Sequence, residues 1–444
     1  MITNKQYEVT GFHNKRVSIP GGPVAVSNIK KLQIHLHVAI PTSKENMDFP
    51  ITAQRKIKRV IRKAFDWTVW AVSKKFLFKG YNYASRIYCN RGDIAIKLAI
   101  KELLQARFHD FQLEFVESEW GQLSDDAIER INSCASLFVI AGGGYWVFNK
   151  EKKLSPSFLS DVDYFQKITC PLVVFGSGVN FNNPSEQFDF DINNTLRDAF
   201  TKLDDRVDLL AVRCELTFNF LRSLGLKKPR LLCDPAVFLK ANDSPYRTTS
   251  EHISIGVNLA FHGPFVEAIL KKNLHIYVAL LQSIQNKFKV KFYYLIHSDE
   301  EFLIVKLLKF SGIKIDVIDE HGGDLVDAYG NLDVVLCQMM HSNILSFNAG
   351  VPTLNIAYDS KNFGFNKLIG MESFCVSVYD LSEEILFEKM TDIITNRDAI
   401  KLKLAAKKKE LALSMDLFLS DVRNMTISYR KLCLTENAQN EIVV

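Results

Sequence analysis

The chain has 444 residues, 47% hydrophobic and 24% charged, with a formal net charge of +5 at pH 7. This composition is typical of a folded globular protein. A chain of this length predicts two domains, because single cores rarely grow beyond about 300 residues. No apolar stretch reaches the roughly 20 residues that span a bilayer, and the first residues lack the apolar core of a signal peptide. We therefore expect a cytoplasmic protein.

The eight cysteines are scattered along the chain, and none forms a C-x-x-C pair. This spacing argues against a zinc site or a disulfide framework. Because most of the cysteines lie in apolar, strand-like surroundings, we expect reduced, buried thiols.

The positive charge is concentrated in the first 80 residues. They contain 15 lysines and arginines and four acidic residues, which gives a net charge of +11. The remainder is acidic, so the charge does not indicate a nucleic-acid partner. We assign residues 1–84 to a basic N-terminal extension. Within it, residues 52–78 have helical apolar spacing, many basic residues, and Trp67 and Trp70. This pattern predicts contact with an anionic membrane face or a lipid-linked substrate, or a helix docked on the first lobe.

From about residue 85, strand patterns alternate with helix patterns, interrupted by a polar linker at residues 240–250. Alternation of this kind predicts parallel sheets with helices on both faces. We expect an α/β protein with two Rossmann-like lobes, residues 85–240 and 251–397, and a helical tail over residues 398–444. Two such lobes facing a central cleft resemble the GT-B architecture, in which the ligand binds between the lobes.

Polar groups follow two apolar strands of the second lobe. His341 begins a helix after the strand NLDVVL, and Lys361 follows the next strand. The N-terminus of a helix favours anions. These residues therefore predict half of a site for a charged ligand.

Arg213 follows an apolar strand of the first lobe. Its guanidinium suits bidentate binding of phosphate or carboxylate. The alternative is a surface ion pair with Glu215 or Asp234.

Four segments together resemble the polysaccharide pyruvyl transferase family. They are NRGDIAI at 90–96, IAGGGY at 140–145, VRCE with CDPA over 212–236, and the run over 336–370. The chain departs from the family pattern at Met339, where the family has arginine, and at Cys214, where it has aspartate.

The resemblance implies transfer of the enolpyruvyl group of phosphoenolpyruvate onto two hydroxyls of a saccharide, free or lipid-linked. The product is a pyruvate ketal, and neither a metal nor a cofactor is required. His341 and Arg213 are then the candidate catalytic residues, and Arg213, Lys361 and protonated His341 the candidate cations. The other candidate donor-binding residues are Gly143, Gly144, Ser177 and Asn90. Asp93 and His297 are candidates for acid/base chemistry or acceptor contact, although Asn90 and Asp93 also suit helix capping.

Two other functions fit the same pattern. A nucleotide-sugar glycosyltransferase of the GT-B type would need an acidic residue late in the second lobe, for which Glu372 and Glu383 are candidates. A non-catalytic saccharide-binding relative would explain the loss of the family arginine at Met339.

Overall fold

The computed structural model describes residues 31–39, 90–148, 153–181, 193–242, 251–261 and 264–442. The helix predicted over residues 52–78 lies outside these ranges, so its membrane contact stays a prediction. Within these ranges, no helix is both long and apolar enough to cross a membrane.

The first lobe is built on a six-stranded sheet in the order β2-β1-β3-β5-β7-β8, and every neighbouring pair is parallel. Short strands β4 and β6 pair beside it. The strands are β1 Lys31–Val38, β2 Gln112–Glu119, β3 Leu137–Ala141, β4 Trp146–Phe148, β5 Leu172–Ser177, β6 Val179–Phe181, β7 Leu209–Val212 and β8 Pro229–Leu231. The helices are α1 Arg91–Arg107, α2 Asp125–Cys134, α3 Pro156–Phe165, α4 Asn194–Arg206 and α5 Glu215–Ser223.

Strand β1 comes from the segment that the sequence assigned to an N-terminal extension. It lies inside the sheet, paired in parallel with β2 and β3. Its apolar residues Leu32, Ile34 and Leu36 are fully buried. The first lobe therefore includes this strand in addition to the predicted residues 85–240.

The second lobe repeats the arrangement, with a parallel sheet in the order β11-β10-β9-β12-β13-β14. Its strands are β9 Ile253–Asn258, β10 Val290–Leu295, β11 Ile315–Ile318, β12 Val334–Cys337, β13 Thr353–Ala357 and β14 Cys375–Ser377. Its helices are α6 Pro264–Lys287, α7 Phe302–Phe310, α8 Gly322–Gly330, α9 Met340–Asn348 and α10 Ser360–Ile369. Two separate parallel sheets confirm the predicted fold class.

The chain ends in one 60-residue helix, α11 (Glu383–Ile442), which begins before the predicted tail at residue 398. The helix starts on the second lobe and returns to the first. There Arg423 donates to both carboxylate oxygens of Asp110 at 2.7 and 2.8 Å, and Phe418 packs on Phe175. Helix α11 therefore holds the two lobes together.

Candidate active site

Five ionisable side chains meet between the two lobes. In parallel sheets with helical crossovers, the loops at the carboxyl ends of the strands form the ligand crevice. Arg213 directly follows β7, His341 lies in the first turn of α9 after β12, and Lys361 begins α10 after β13. Asp93 from the first turn of α1 and Asp234 complete the group.

Arg213 and Asp234 form a buried ion pair rather than a surface one. The Arg213 Nη1 donates to Asp234 Oδ2 at 3.1 Å, and both side chains are almost inaccessible to solvent. Gly178 packs against the guanidinium, since a Cβ built there would lie 2.6 Å from Arg213 Nε. That nitrogen has no hydrogen-bond partner among the described residues. Burial raises the pKa of Asp234, although Arg213 opposes the shift.

His341 lies against the first lobe. A Cβ built on Gly92 would lie 2.0 Å from His341 Nδ1, so only glycine fits at that turn of α1. The His341 Nε2 is 3.8 Å from Asp234 Oδ2 and has no hydrogen-bond partner in the described part of the chain. Burial, followed by Arg213, holds the pKa of His341 well below its usual 6.5. Burial therefore favours the neutral imidazole, and a protonated His341 as a cation for the donor stays a prediction.

Asp93 is a carboxyl group of the site with a raised pKa. Asn90 caps α1 by accepting from the Gly92 N–H at 3.0 Å, and its amide donates to Asp93 Oδ2 at 2.7 Å. The predicted capping role of Asn90 is thus present. Burial raises the pKa of Asp93 to about 6, although Arg213 and Lys361 oppose the shift. An aspartic acid of this pKa can both hold and release a proton near neutral pH.

Lys361 reaches across the cleft from the second lobe. Its Nζ donates to Asn180 Oδ1 of the first lobe at 2.9 Å and lies 3.5 Å from Asp359 Oδ2. Burial is the largest single influence and lowers the pKa of Lys361, but Asp359 and Tyr358 together exceed it, so the pKa is raised. Lys361 is therefore a permanent cation at the boundary of the lobes.

The glycine-rich turns bring backbone close to the cleft. Gly144 packs on Asn180, the partner of Lys361, since a Cβ built there would lie 3.1 Å from Asn180 Cβ. Gly143 has a φ of +72° and faces Trp120. The Ser177 hydroxyl is fully buried and donates to the Gly142 carbonyl at 3.1 Å. Ser177 thus joins the two turns, and its contact with a donor stays a prediction.

His297 is buried inside the protein near His341. Its side chain is fully buried, and Nε2 is hydrogen-bonded to the Tyr329 hydroxyl at 2.8 Å. Burial lowers its pKa to about 3, so it is a neutral imidazole. This environment supports a structural role, and its proposed contact with an acceptor stays a prediction.

The sequence did not single out Arg91 for the site, and it named Asp234 only as a surface ion-pair partner of Arg213. Arg91 joins the lobes, since its N–H donates to the His297 carbonyl at 3.1 Å and its guanidinium bonds Asp319 and the Ile296 carbonyl. Asp234 connects Arg213 with His341. The signal for Asp234 was its place in the Asp-Pro step after β8, a context that also suits a simple cap of the turn that follows.

The two departures from the family pattern have different surroundings. Met339 directly precedes α9, is 9% exposed and belongs to the apolar core. Cys214 directly precedes α5 and packs against α10, since a Cβ built on Gly364 would lie 3.1 Å from its Sγ. Within the described ranges, no group of three or more histidine, cysteine or acidic side chains could hold a metal ion.

Residues 90–360 match the family model described as polysaccharide pyruvyl transferase. The chain belongs to this family. It is therefore a polysaccharide-modifying transferase, as the four motifs predicted. No curated protein matches the chain significantly in sequence.

Solved structures similar to this chain share its fold at low identity. UDP-GlcNAc 2-epimerase from Neisseria meningitidis, bound to UDP-GlcNAc, has a TM-score of 0.50 and 11% identity, and the match covers 74% of this chain and 97% of that chain. The S. aureus MnaA–UDP structure has a TM-score of 0.48 and 11% identity, with coverage of 74% and 95%. A putative UDP-N-acetylglucosamine 2-epimerase from Listeria monocytogenes has a TM-score of 0.48 and 12% identity. The match covers 71% of this chain and 88% of that chain. The match to the Neisseria meningitidis enzyme, together with the two parallel sheets, confirms the GT-B-like fold.

Proposed function

We propose that this protein transfers the enolpyruvyl group of phosphoenolpyruvate onto two hydroxyls of a saccharide, forming a pyruvate ketal and releasing phosphate. The observation that carries the proposal is the meeting of two permanent cations, Arg213 and Lys361, with an aspartic acid of pKa about 6 and a neutral histidine. A donor that bears phosphate and carboxylate and must be protonated at carbon needs this combination.

Arg213 and Lys361 hold the two anionic groups of the donor. The Nε–H of Arg213 has no protein partner within the described residues, so it can donate to an incoming oxygen. Both cations already face carboxylates, Asp234 and Asp359 respectively. The donor therefore competes with these carboxylates for the two cations. The negative charge of the donor raises the pKa values of Asp234 and Asp359 further.

Asp93 in its protonated form is the acid of the proposed reaction. It gives its proton to the methylene carbon of the donor, and the neighbouring carbon becomes oxocarbenium-like. A first saccharide hydroxyl attacks that carbon. Phosphate then leaves with the electrons of its C–O bond and takes the proton that the first hydroxyl gave up. The second hydroxyl attacks the renewed cation to close the ketal, and its proton returns to the Asp93 carboxylate.

His341 is the base that takes a proton from an attacking hydroxyl. Burial lowers the pKa of His341 and favours its neutral form, and its Nε2 has no hydrogen-bond partner in the described chain. The imidazolium that forms lies 3.8 Å from Asp234 Oδ2, which stabilises the positive charge. Asp234 thus serves both Arg213 and His341.

The acceptor that fits the family is a saccharide, and we propose that it is lipid-linked and reached from the membrane face through residues 52–78. Deleting residues 1–80 would remove strand β1 from its sheet, so point variants are the better test. Replacing Trp67 and Trp70 with serine should weaken flotation with anionic vesicles, because the indoles insert at the membrane interface. Unchanged flotation with anionic vesicles would contradict the membrane contact.

Thermal shift and phosphate release test the donor. Phosphoenolpyruvate at 100 times its dissociation constant should stabilise the protein by about 2.7 kcal/mol, and phosphate should be released only when a saccharide acceptor is added. Stabilisation by a UDP-sugar instead would favour glycosyl transfer. Glu372, one candidate for that chemistry, is exposed, whereas Glu383 accepts a hydrogen bond from Ser283 at 2.5 Å. Stabilisation by a saccharide alone would favour the non-catalytic alternative.

A further inference from the structure

Trp120 is a partly exposed aromatic residue that the proposed reaction does not use. It directly follows β2, so it lies at the carboxyl edge of the first sheet, where ligands bind in folds of this kind. Its ring lies against the glycine-rich turn after β3, since a Cβ built on Gly143 would lie 3.0 Å from Trp120 Cη2. Trp120 therefore borders the cleft, although the sequence did not single it out.

One glycine-rich turn separates Trp120 from the proposed donor site. The Gly143 carbonyl accepts from the Gly178 N–H at 2.9 Å, and Gly178 packs against the guanidinium of Arg213. The backbone of Gly143 thus lies between the indole and the turn that carries the guanidinium contact. A ligand that lies over this turn can touch the indole and reach the donor at the same time.

The ring of Trp120 is held in one orientation before any ligand binds. Its Nε1–H donates to the His37 carbonyl at 3.0 Å, and the ring packs on Tyr145 with the two centroids 4.6 Å apart. The buried carboxylate of Asp161 fixes this support, because its Oδ2 accepts from the Tyr145 hydroxyl and from the Gly121 N–H, each at 2.7 Å. A side chain that is already ordered loses little conformational entropy when a ligand packs on it.

The polar groups beside Trp120 suit a neutral, hydroxylated ligand rather than an anion. Glu119 directly precedes Trp120, and its carboxylate accepts from the side-chain amide of the exposed Gln122 at 2.7 Å. A carboxylate and an amide can exchange this bond for bonds to hydroxyl groups, whereas Glu119 would repel a phosphate or carboxylate. The apolar C–H face of a pyranose ring can pack on the electron-rich face of the indole.

We propose that Trp120 binds the acceptor by stacking on one of its sugar rings, while Glu119 and Gln122 bond the hydroxyls of that ring. The acceptor then extends over Gly143 toward the donor at Arg213. The family implies a saccharide acceptor. The position of the acceptor relative to the donor rests on the proposed function, but saccharide binding at Trp120 requires no phosphoenolpyruvate.

Saccharide binding to the full chain without donor is the first test. Methyl pyranosides of glucose, galactose, mannose and N-acetylglucosamine, and disaccharides of these sugars, are titrated by saturation-transfer NMR. Trp120→Ala should weaken the binding of each saccharide that wild type binds by at least about tenfold, which is about 1.4 kcal/mol. Trp120→Phe keeps an aromatic face and should stay within about threefold of wild type. Equal binding by Trp120→Ala and wild type, or no binding of any of these saccharides to wild type, would overturn the proposal.

Two further variants separate stacking from a role of Trp120 in folding. Trp120→Phe loses the hydrogen bond to the His37 carbonyl, so a purely structural role would make it bind as poorly as Trp120→Ala, which contradicts the proposal. Glu119→Ala/Gln122→Ala changes side chains at the protein surface and should also weaken binding at least about tenfold, even if Trp120→Ala does not fold. Phe310→Ala removes an aromatic side chain that is 69% exposed at the end of α7. It is the matched control and should bind saccharides as wild type does.

Phosphate release from phosphoenolpyruvate gives the second test and separates this proposal from that of the reaction. With the saccharide that supports the fastest release, Trp120→Ala should raise the KM for the saccharide at least about tenfold. The kcat and the KM for phosphoenolpyruvate should stay within about twofold, because stacking contributes equally to the ground state and the transition state. An unchanged KM for the saccharide would overturn the role of Trp120 and leave the reaction intact. If no saccharide supports phosphate release but Trp120→Ala still loses saccharide binding, the proposed reaction fails and the role of Trp120 stands.

Discussion

Replacing Arg213 with alanine removes both a structural and a proposed catalytic contact, and the two effects can be separated. Arg213 and Asp234 are joined at 3.1 Å and nearly inaccessible. Removing one member of a buried pair costs about 3–5 kcal/mol, because the other charge stays buried without its partner. We therefore expect Arg213→Ala to lower the urea midpoint of unfolding strongly.

The double variant Arg213→Ala/Asp234→Asn removes both charges. It should regain part of the lost stability, since no buried carboxylate is left unpaired, but it should not regain donor binding. A lost charge-assisted contact of about 2 kcal/mol or more corresponds to at least about 30-fold weaker binding of phosphoenolpyruvate. Arg213→Lys should also bind poorly, because an ammonium lacks the planar fork.

Arg230→Ala is the matched control. Arg230 belongs to the same lobe and pairs with Asp421, but this pair is about half exposed. Exposed pairs contribute about 0–1 kcal/mol, so neither stability nor donor affinity should change much. The measurements are urea unfolding and titration calorimetry with phosphoenolpyruvate. If the double variant binds the donor as tightly as wild type, Arg213 does not hold the donor and the proposed reaction loses its main support.

Three further results are expected. His341→Ala should reduce phosphate release at least about 30-fold with little change in stability, and an unchanged rate would exclude it as the base. Asp93 has a raised pKa, so its ionised form is disfavoured in the fold. Stability should fall as pH rises from about 4 to about 6, and kcat/KM should fall above pH 6. Asp93→Asn should lose activity, and its Tm should decrease less between pH 4 and 8 than the Tm of wild type. Equal decreases in the two proteins would contradict the raised pKa of Asp93. Met339→Arg should lower Tm rather than tighten donor binding, because the side chain lies in the apolar core, and tighter binding would show that the new guanidinium reaches the cleft.

Local patterns in the sequence determined the fold class and the candidate residues of the site. The alternation of strand and helix predicted two parallel sheets, and the strand-to-helix steps predicted that Arg213, His341 and Lys361 lie at the cleft. These inferences hold because side-chain periodicity and the geometry of a parallel crossover are set by neighbouring residues.

Only the tertiary structure decided which distant segments pair and which side chains of the site are charged. Strand β1 pairs with β2 and β3 across a long stretch of chain, and no local pattern specifies such a partner. The sequence allowed His341 to be a cation, but burial and Arg213 keep it neutral, whereas the same burial makes Asp93 an acid of pKa about 6. A pKa depends on every atom packed around the group, and those atoms come from both lobes. The sequence therefore gives the candidate groups of the site, but their protonation states follow from how the two lobes pack around them.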